Sequence, residues 1–410
     1  MTSERRKRRL RAAFTCSWFM LAGPAAVAGG AEPALPLPAP EAGYEAWLVT
    51  YGPGEIYWQR FGHNALWLRE PARGLDHTFN FGYFDFAQQG FLARFIRGRL
   101  LYFSLAQPAS EEFEGYRRDG RSIRAQRLNL DAAQYRRLRE HLLRAVQPAN
   151  RYYRYDYFLD NCATRIRDAL DLALGGALHE RWAGVPAQQG FRAHTRRLTH
   201  MDYGYYLGLE AVLGRPVDRP VSRWDEMFIP SVIADIAAAT PAVGGGDQTP
   251  LVREDRVLWA SAAPTVPAEP PPVWPRYLLL SMAAVLLAVA ASRWLAPAQS
   301  AAFAGGWLLV AAGAGSIMVM LWALTDHEVA GPNFNLLIFN PLSWLWFWTA
   351  ARRPLAVCLA LGVPLALLQA LAPGGQYNLD VVALAGPPGL ASAAWLWRHG
   401  ARAAGGRGSA

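Results

Sequence analysis

The stretch YYRYDYFLDNCATRIRDALDLAL, residues 152–174, changes character at Asn161. Aromatic residues crowd 152–158, as in a strand, whereas apolar residues recur at helical spacing over 166–174. Asparagine is a strong N-cap residue, so the sequence predicts a helix whose first turn contains Cys162. The thiol is therefore expected at a strand-to-helix junction, where a cysteine is well placed to act as a nucleophile.

Cys162 is predicted to be reactive. Unpaired backbone N–H groups and the positive end of the helix dipole favour a thiolate, so we expect its pKa to be lowered. Of the other two cysteines, Cys16 lies in a predicted export signal and Cys358 in a hydrophobic segment. One thiol without a disulfide partner in an oxidising compartment favours catalysis, and a buried structural cysteine is the alternative.

The export signal occupies residues 1–31. Basic residues at 5–11 precede an apolar stretch at 12–27, and Ala-Val-Ala at 26–28 is a small-residue cleavage site. The domain that follows is therefore expected outside the cytosol.

Composition divides the remaining chain into four parts. Residues 41–235 mix charged, aromatic and apolar residues and are long enough for one sizeable core. Residues 236–275 are rich in alanine, glycine and proline and predict a linker. Residues 276–398 predict an all-α transmembrane domain, and residues 399–410 a cytoplasmic tail.

The transmembrane part contains five apolar segments, several of them shorter than the roughly 20 residues that a spanning helix needs. Arginines lie between the first and second segments, between the third and fourth, and after the fifth. The positive-inside rule places these arginines in the cytoplasm and the loops 325–335 and 372–380 outside. The segments are 277–292, 303–324, 336–350, 355–371 and 381–397.

The formal net charge of +9 does not indicate a nucleic-acid-binding protein. Much of the positive charge lies in the signal and in the predicted cytoplasmic loops. Arginines of the globular part, such as Arg94, Arg97 and Arg99, are expected either to face solvent or to meet anionic phospholipid headgroups.

A nucleophilic thiol needs a base, and His63 is the leading candidate. It lies in FGHNALWL, 61–68, which alternates as a strand does, and HTFNFGYFDF, 77–86, predicts a neighbouring strand. Asn80 or Asp85 on that strand is placed to orient the imidazole. A half-buried structural role is the alternative for His63. Surface or structural roles are expected for His141, His179, His194 and His200.

Taken together, these motifs resemble the His-before-Cys order of circularly permuted papain-like (NlpC-type) enzymes, which include the lecithin retinol acyltransferase group. The chain is more similar to the Lnb-type bacterial lipoprotein N-acyltransferases. The motifs that carry this resemblance are FGH at 61–63, FNFGYFDF at 79–86, DNC at 160–162, FIP at 228–230, TDHE at 325–328 and NFNLL at 333–337.

The resemblance implies an α+β permuted papain-like domain followed by an all-α membrane bundle. It implies that Cys162 takes an acyl chain from a phospholipid as a thioester and passes it to the α-amino group of a diacylated lipoprotein. His63 is then the base, and Asn80 the third catalytic residue. No metal or cofactor is required. Two alternatives stay open: a membrane-tethered cysteine amidase or peptidase acting on cell-wall peptides, and a non-catalytic envelope module.

Substrate contacts are expected at two places. Tyr155 belongs to an aromatic run suited to an acyl groove, although a strand with one buried face explains the same pattern, and Asn161 lies beside the thiol. His327, Asn333 and Asn335 are polar residues at the predicted outer membrane boundary, where substrate contact and ordinary capping are both reasonable.

Overall fold

The computed structural model describes residues 37, 43–244, 249–261, 265–292, 294 and 297–405. The predicted signal, 1–31, and Arg293 lie outside these residues. The chain divides into two compact units. The first comprises the described residues up to Gly184 together with Met227–Ala263, and the second comprises Val185–Glu226 together with the described residues from 265 onward.

The first unit is built on a sheet whose seven strands, within the described residues, pair antiparallel throughout. The strands are β1 (Glu45–Tyr51), β2 (His63–Glu70), β3 (Leu75–Tyr83), β4 (Leu101–Pro108), β5 (Ile123–Leu128), β6 (Tyr152–Arg154) and β7 (Val252–Trp259). Their order across the sheet is β6-β4-β3-β2-β1-β5-β7. The central strands therefore come from the sequence around His63.

The first unit contains helices in addition to the sheet. The second unit is built from other helices. The first unit contains α1 (Phe91–Ile96), α2 (Ala109–Arg118), α3 (Ala132–Ala145), α4 (Cys162–Ala173) and α5 (Ala177–Trp182). The second contains α6 (Phe191–Thr199), α7 (Tyr203–Val212) and α8 (Arg223–Glu226), and the chain returns to the first unit with α9 (Pro230–Ala238). The last helices are α10 (Trp274–Ala291), α11 (Pro297–Leu324), α12 (Arg352–Leu371) and α13 (Leu379–Gly405). The predicted α+β domain with a helical tail is confirmed.

Strands β1 and β2 are buried on both faces along almost their whole length. Alternate residues of each strand point to opposite faces, and Trp47, Trp67 and Phe113 of α2 meet on one of them. The rings of Trp67 and Phe113 pack edge to face with centroids 5.1 Å apart. Helix α4 packs against β2 and β3, which fixes the start of α4 beside the strand that begins at His63.

The segment predicted as a linker, 236–275, includes the edge strand β7. Residues 252–259 pair with β5, and Arg124 of β5 holds Asp255 with a side-chain distance of 2.7 Å. The alternating pattern VREDRVLW is short and charged, as is typical of an edge strand, and the flanking alanines, glycines and prolines concealed it. The linker prediction is therefore corrected over 252–259.

The second unit begins earlier in the chain than the predicted domain boundary at residue 235, because residues 185–226 belong to it. Arg196 of α6 pairs with Asp380 of α13 at 3.0 Å, and Tyr206 donates to the same carboxylate at 2.7 Å. These side chains are buried. Such bonds join α6, α7 and α13 into one packed body.

Four helices of the described chain are long and apolar enough to cross a membrane: Trp274–Ala291, Ala301–Leu324, Thr349–Leu371 and Leu379–Gly400. The last of them continues as helix α13 to Gly405, into the stretch predicted as a cytoplasmic tail.

The predicted third span, 336–350, is not an α-helix, and the residues that the structure describes contain four candidate membrane helices where the sequence predicts about five. Short 3₁₀ helices occupy this segment, and Asn340 accepts from Leu342 N at 2.9 Å just before Pro341. The segment packs directly on its neighbours: a Cβ at Gly315 or at Gly362 would lie 2.1 Å from a carbonyl oxygen of residue 339 or 337. Non-helical backbone of this kind is tolerated at membrane depth where protein encloses it.

Candidate active site

Helix α4 begins at Cys162, as predicted, and Asn161 is its N-cap. The Asn161 Oδ1 accepts from Thr164 N at 2.9 Å, and the Thr164 hydroxyl accepts from Asn161 N at 2.8 Å. This reciprocal capping box satisfies two backbone donors that a helix start leaves unpaired. The backbone on either side of the thiol is thereby fixed.

The remaining donor of Asn161 is also used within the protein. Its Nδ2 donates to Tyr157 O at 3.0 Å and to Phe228 O at 2.9 Å. The second bond ties the thiol-bearing junction to the FIP motif at 228–230, which precedes helix α9. These bonds make Asn161 a positioning residue for the thiol-bearing junction, and its substrate contact stays a prediction.

His63 lies at the first position of β2, and its Nε2 is 3.0 Å from the Asn80 Oδ1 on β3. The Nδ2 of Asn80 donates to the Glu112 Oε2 at 2.7 Å, so the amide oxygen of Asn80 faces the imidazole. Because that oxygen only accepts, the Nε2 of neutral His63 carries the hydrogen and Nδ1 keeps its lone pair. His63 and Asn80 are therefore brought together in a base-and-orienter geometry.

Asp85, the other candidate for orienting His63, lies elsewhere. Its side chain is exposed, and its Oδ1 accepts from Ala87 N at 2.8 Å in a turn after β3. The geometry thus separates Asn80 from Asp85, which the sequence alone did not do.

Glu112 of α2 is a buried member of the site that the sequence analysis missed. Besides Asn80, its Oε2 accepts from Gln107 Nε2 at 2.8 Å and from the hydroxyl of Thr78. Three side-chain donors therefore converge on one oxygen of this buried carboxylate. Nothing in the local sequence distinguishes Glu112 from its neighbours Glu111 and Glu114, so no sequence signal marked it.

The thiol and the imidazole are both neutral at rest. Burial raises the pKa of Cys162 to about 11, against the opposing effect of the backbone N–H groups of Asn64 and Ala163. Burial likewise lowers the pKa of His63 to about 4, opposed by its bond to Asn80. The expected lowering of the thiol pKa is therefore wrong, because desolvation outweighs the helix start.

One charged group, the Arg121 guanidinium, acts on both residues. The Arg121 guanidinium lowers the pKa of both Cys162 and His63. It lies 4.6 Å from the ring centroid of Tyr116, and its Nε donates to Gly52 O at 2.8 Å. A fixed buried cation of this kind favours negative charge on the sulfur and disfavours positive charge on the imidazole.

Gly82 gives the thiol its space. The residue has φ +93°, and a Cβ there would lie 3.2 Å from the Cys162 Cβ and 3.7 Å from the ring of Tyr155. Glycine is thus required both by the backbone conformation and by the close approach of helix α4. The half-buried Tyr155, which the sequence suggested as an acyl contact, does lie beside the thiol, stacked on Tyr102 at 4.0 Å.

Comparison with known protein families shows which family the chain belongs to. Residues 44–198 match the Lnb N-terminal periplasmic domain, and residues 269–368 match the Lnb transmembrane domain. The chain belongs to the Lnb family. No curated protein and no solved structure gave a match.

Membership of the Lnb family makes this chain an inner-membrane protein with a periplasmic N-terminal domain and indicates a lipoprotein-maturation enzyme. His63, Asn80 and Cys162 all lie within the match to the periplasmic domain. Among the residues that the structure describes, no group of three or more His, Cys, Asp or Glu side chains is arranged to hold a metal ion.

The polar tail residues of the Lnb transmembrane match are largely engaged by backbone groups. Asn333 donates to Ala211 O at 2.8 Å, and Asn335 donates to Glu210 O at 2.8 Å. Both side chains are buried. His327 is half-buried at the start of a 3₁₀ turn. The bonds explain Asn333 and Asn335 as ties between helix α7 and the segment 333–337.

The other histidines keep the structural or surface roles expected of them. His194 is buried and lies 2.9 Å from the Glu226 carboxylate, and it accepts from Arg197 Nε at 3.0 Å. The Nδ1 of His200 lies 2.9 Å from Arg197 O. His194 therefore serves as a comparison for His63: a histidine with a carboxylate partner that lies outside the proposed chemistry.

Proposed function

We propose that this Lnb-family protein is a cysteine-dependent N-acyltransferase. It moves a fatty acyl chain from a phospholipid to the α-amino group of a lipoprotein's N-terminal, diacylglyceryl-modified cysteine. Cys162 is the nucleophile and His63 the general base, with Asn80 as the residue that orients the imidazole. The observation that carries the proposal is the bonded row His63–Asn80–Glu112 in the domain that holds a half-buried thiol at a helix start.

In the first half-reaction, the Nδ1 of His63 takes the thiol proton as the sulfur attacks the ester carbonyl of the phospholipid. The C–O bond of the tetrahedral intermediate breaks, and His63 returns the proton to the departing glycerol oxygen. A thioester on Cys162 and a lysophospholipid result. Because both groups are neutral at rest, the proton moves during the attack rather than before it.

In the second half-reaction, the neutral α-amine of the lipoprotein attacks the thioester, and His63 takes the proton that the amine loses. The C–S bond then breaks, the sulfur regains the proton, and an amide is released. Amines attack thioesters more readily than oxygen esters, so a thiol nucleophile suits an enzyme whose final product is an amide.

Backbone donors at the thiol support stabilisation of the oxyanion. The N–H groups of Cys162 and Ala163 belong to the first turn of α4, and the N–H of Asn64 follows His63 on β2. Donors held by a helix cap and a central strand are fixed before substrate arrives, which is the condition for strong oxyanion stabilisation. Arg121 adds positive charge to the same region.

The proposal is tested on lipoprotein N-termini in cells that depend on this protein. Mass spectrometry should find N-acylated lipoproteins with the natural chain and unacylated N-termini with Cys162→Ala. Cys358→Ala is the control, since it removes an exposed cysteine of helix α12 that takes no part in the proposed chemistry. Full N-acylation with Cys162→Ala would overturn the proposal.

A further inference from the structure

A group of apolar side chains on the first unit faces solvent at and before helix α1. Phe86, Leu92, Phe95 and Ile96 are 43%, 67%, 45% and 45% exposed. These four residues, together with Arg94 and Arg97, are called the α1 patch below. Soluble surfaces rarely expose apolar side chains in contiguous groups, and such groups mark binding surfaces.

The local sequence keeps these side chains on the outside. Helix α1 has only six residues, FLARFI, and lies between Gly90 and Gly98, both of which have positive φ. Every residue from 92 to 97 is exposed. The helix therefore contributes little to the core, and its apolar residues need another explanation than folding.

The charge of the segment suits an anionic surface. Residues 84–99 contain Arg94, Arg97 and Arg99 and a single carboxylate, Asp85, which accepts from the backbone of a turn. Exposed aromatic and aliphatic residues interleaved with arginines are typical of segments that lie in a membrane interface. Arginines near the surface of a bilayer are attracted by anionic headgroups.

Aromatic rings connect the α1 patch to the thiol. Phe91 lies 5.1 Å from Phe86 and 6.4 Å from Phe84, measured between ring centroids, and Phe84 lies 5.1 Å from Tyr102. Tyr102 stacks on Tyr155, the residue beside the thiol. The rings therefore form a continuous row of contacts from the α1 patch to the side chain beside Cys162.

We propose that the α1 patch inserts into the outer leaflet of a bilayer containing anionic phospholipid. In this position Leu92, Phe95 and Ile96 enter the acyl region while Arg94 and Arg97 bind headgroup phosphates. The aromatic row then gives an acyl chain a continuous apolar route to the nucleophile. The route deepens the proposed function and rests on it, whereas the membrane contact of the patch does not.

The membrane contact is tested with the full-length protein in nanodiscs of phosphatidylethanolamine and phosphatidylglycerol that contain a phospholipid with a diazirine on its acyl chain. After photolysis, peptide mass spectrometry should find adducts within residues 86–97 as well as on the membrane helices. Adducts on the membrane helices with none in 86–97 would overturn the proposal. This readout does not require Cys162 to react, so it stands even if the proposed function fails.

The use of the patch by the enzyme is tested with matched double variants. Leu92→Gln/Phe95→Gln should lower kcat/KM for phospholipid in the bilayer by about tenfold or more, because two apolar anchors are lost. The control Leu172→Gln/Val257→Gln changes two exposed apolar residues elsewhere in the first unit and should leave it unchanged. Acylation of Cys162 by a water-soluble p-nitrophenyl ester should be equal in all three proteins. Equal kcat/KM values on bilayer substrate would contradict the proposed route.

The charge of the patch has its own readout. The rate of the natural chain should rise with the phosphatidylglycerol fraction, and Arg94→Gln/Arg97→Gln should remove most of this increase. Each arginine is expected to account for about a fivefold change in rate. An unchanged dependence on phosphatidylglycerol would show that the headgroups do not bind there.

Discussion

Two pairs of asparagines, Asn80 and Asn161 in the periplasmic domain and Asn333 and Asn335 in the tail, look alike in the sequence but differ in what they hold. Asn80 directs its amide oxygen to an imidazole, and Asn161 caps the helix that carries the thiol. Asn333 and Asn335 donate to carbonyl oxygens of helix α7. The first pair supports reactive groups, and the second joins two segments of backbone.

The role of a buried polar side chain therefore follows from the group that it bonds to, and not from its exposure or its residue type. All four asparagines are almost fully buried. Leaving any of them unbonded would cost free energy, so each has partners. The bond influences chemistry where the partner is itself titratable, as for Asn80, or where it fixes the backbone that carries the nucleophile, as for Asn161.

The largest effect is expected when His63 is compared with His194, since each histidine lies beside one polar side-chain partner. His63→Ala should lower kcat by about 10² to 10⁴, the usual contribution of a general base. His194→Ala should keep kcat and lower the thermal midpoint instead, because it leaves the Glu226 carboxylate without its imidazole partner. Steady-state kinetics and thermal melts of both variants check this, and a reversed pattern would contradict the assignment of His63.

The second-largest effect on kcat is expected for Asn80, with Asn333 as the comparison. Asn80→Ala should lower kcat by about 10- to 10²-fold, since the imidazole loses the acceptor that fixes its tautomer. That bond raises the pKa of His63, so removing it should move the acid limb of the kcat profile to still lower pH. Asn333→Ala should destabilise the tail while acylation of Cys162 by a soluble ester continues unchanged. Equal loss in both variants would end the distinction between the two pairs.

The pH dependence of Cys162 tests whether the thiol is neutral at rest. Its pKa of about 11 predicts that the alkylation rate by iodoacetamide rises about tenfold per pH unit from neutral pH up to that value. His63, with a pKa of about 4, stays neutral over the same range, so kcat should not fall between pH 5 and 8 through its protonation. An alkylation rate already at its plateau at pH 7 would indicate a thiolate–imidazolium pair instead.

The smallest effect on kcat is expected at Glu112, which is connected to the His63 imidazole by two hydrogen bonds through Asn80. Glu112→Gln keeps the shape but replaces one acceptor oxygen by a donor facing Asn80, Thr78 or Gln107, so kcat should fall by about three- to tenfold. Glu114→Gln, on the same helix but partly exposed and paired with Arg117, should change neither kcat nor the melting temperature appreciably. An unchanged kcat in the Glu112→Gln enzyme would show that Glu112 does not contribute to the site.

The sequence identified the parts of the site that are local. The helix start at Cys162 and its cap follow from Asn161 and the apolar spacing behind it, and the strands around His63 and Asn80 follow from alternation. The α+β domain is implied by the resemblance to the Lnb-type enzymes, and the helical tail is predicted by its apolar segments.

Contacts between distant segments were not predictable from local pattern. Glu112 reaches Asn80 from a helix 32 residues away, and no neighbour in the chain signals it. The pKa of Cys162 depends on how deeply the fold buries the thiol, and the helix start alone predicted the wrong direction. The sequence predicts a linker where strand β7 lies, because an edge strand needs few apolar residues.

The central claim is that Cys162 carries the acyl group between donor and acceptor. The most direct measurement incubates the full-length protein with phospholipid bearing a labelled acyl chain, without an acceptor, and then adds a diacylated lipopeptide. We expect a hydroxylamine-sensitive label on Cys162, released lysophospholipid, and movement of the label to the lipopeptide α-amine when the lipopeptide is added. No adduct on Cys162, or release of free fatty acid alone however much lipopeptide is present, would contradict it.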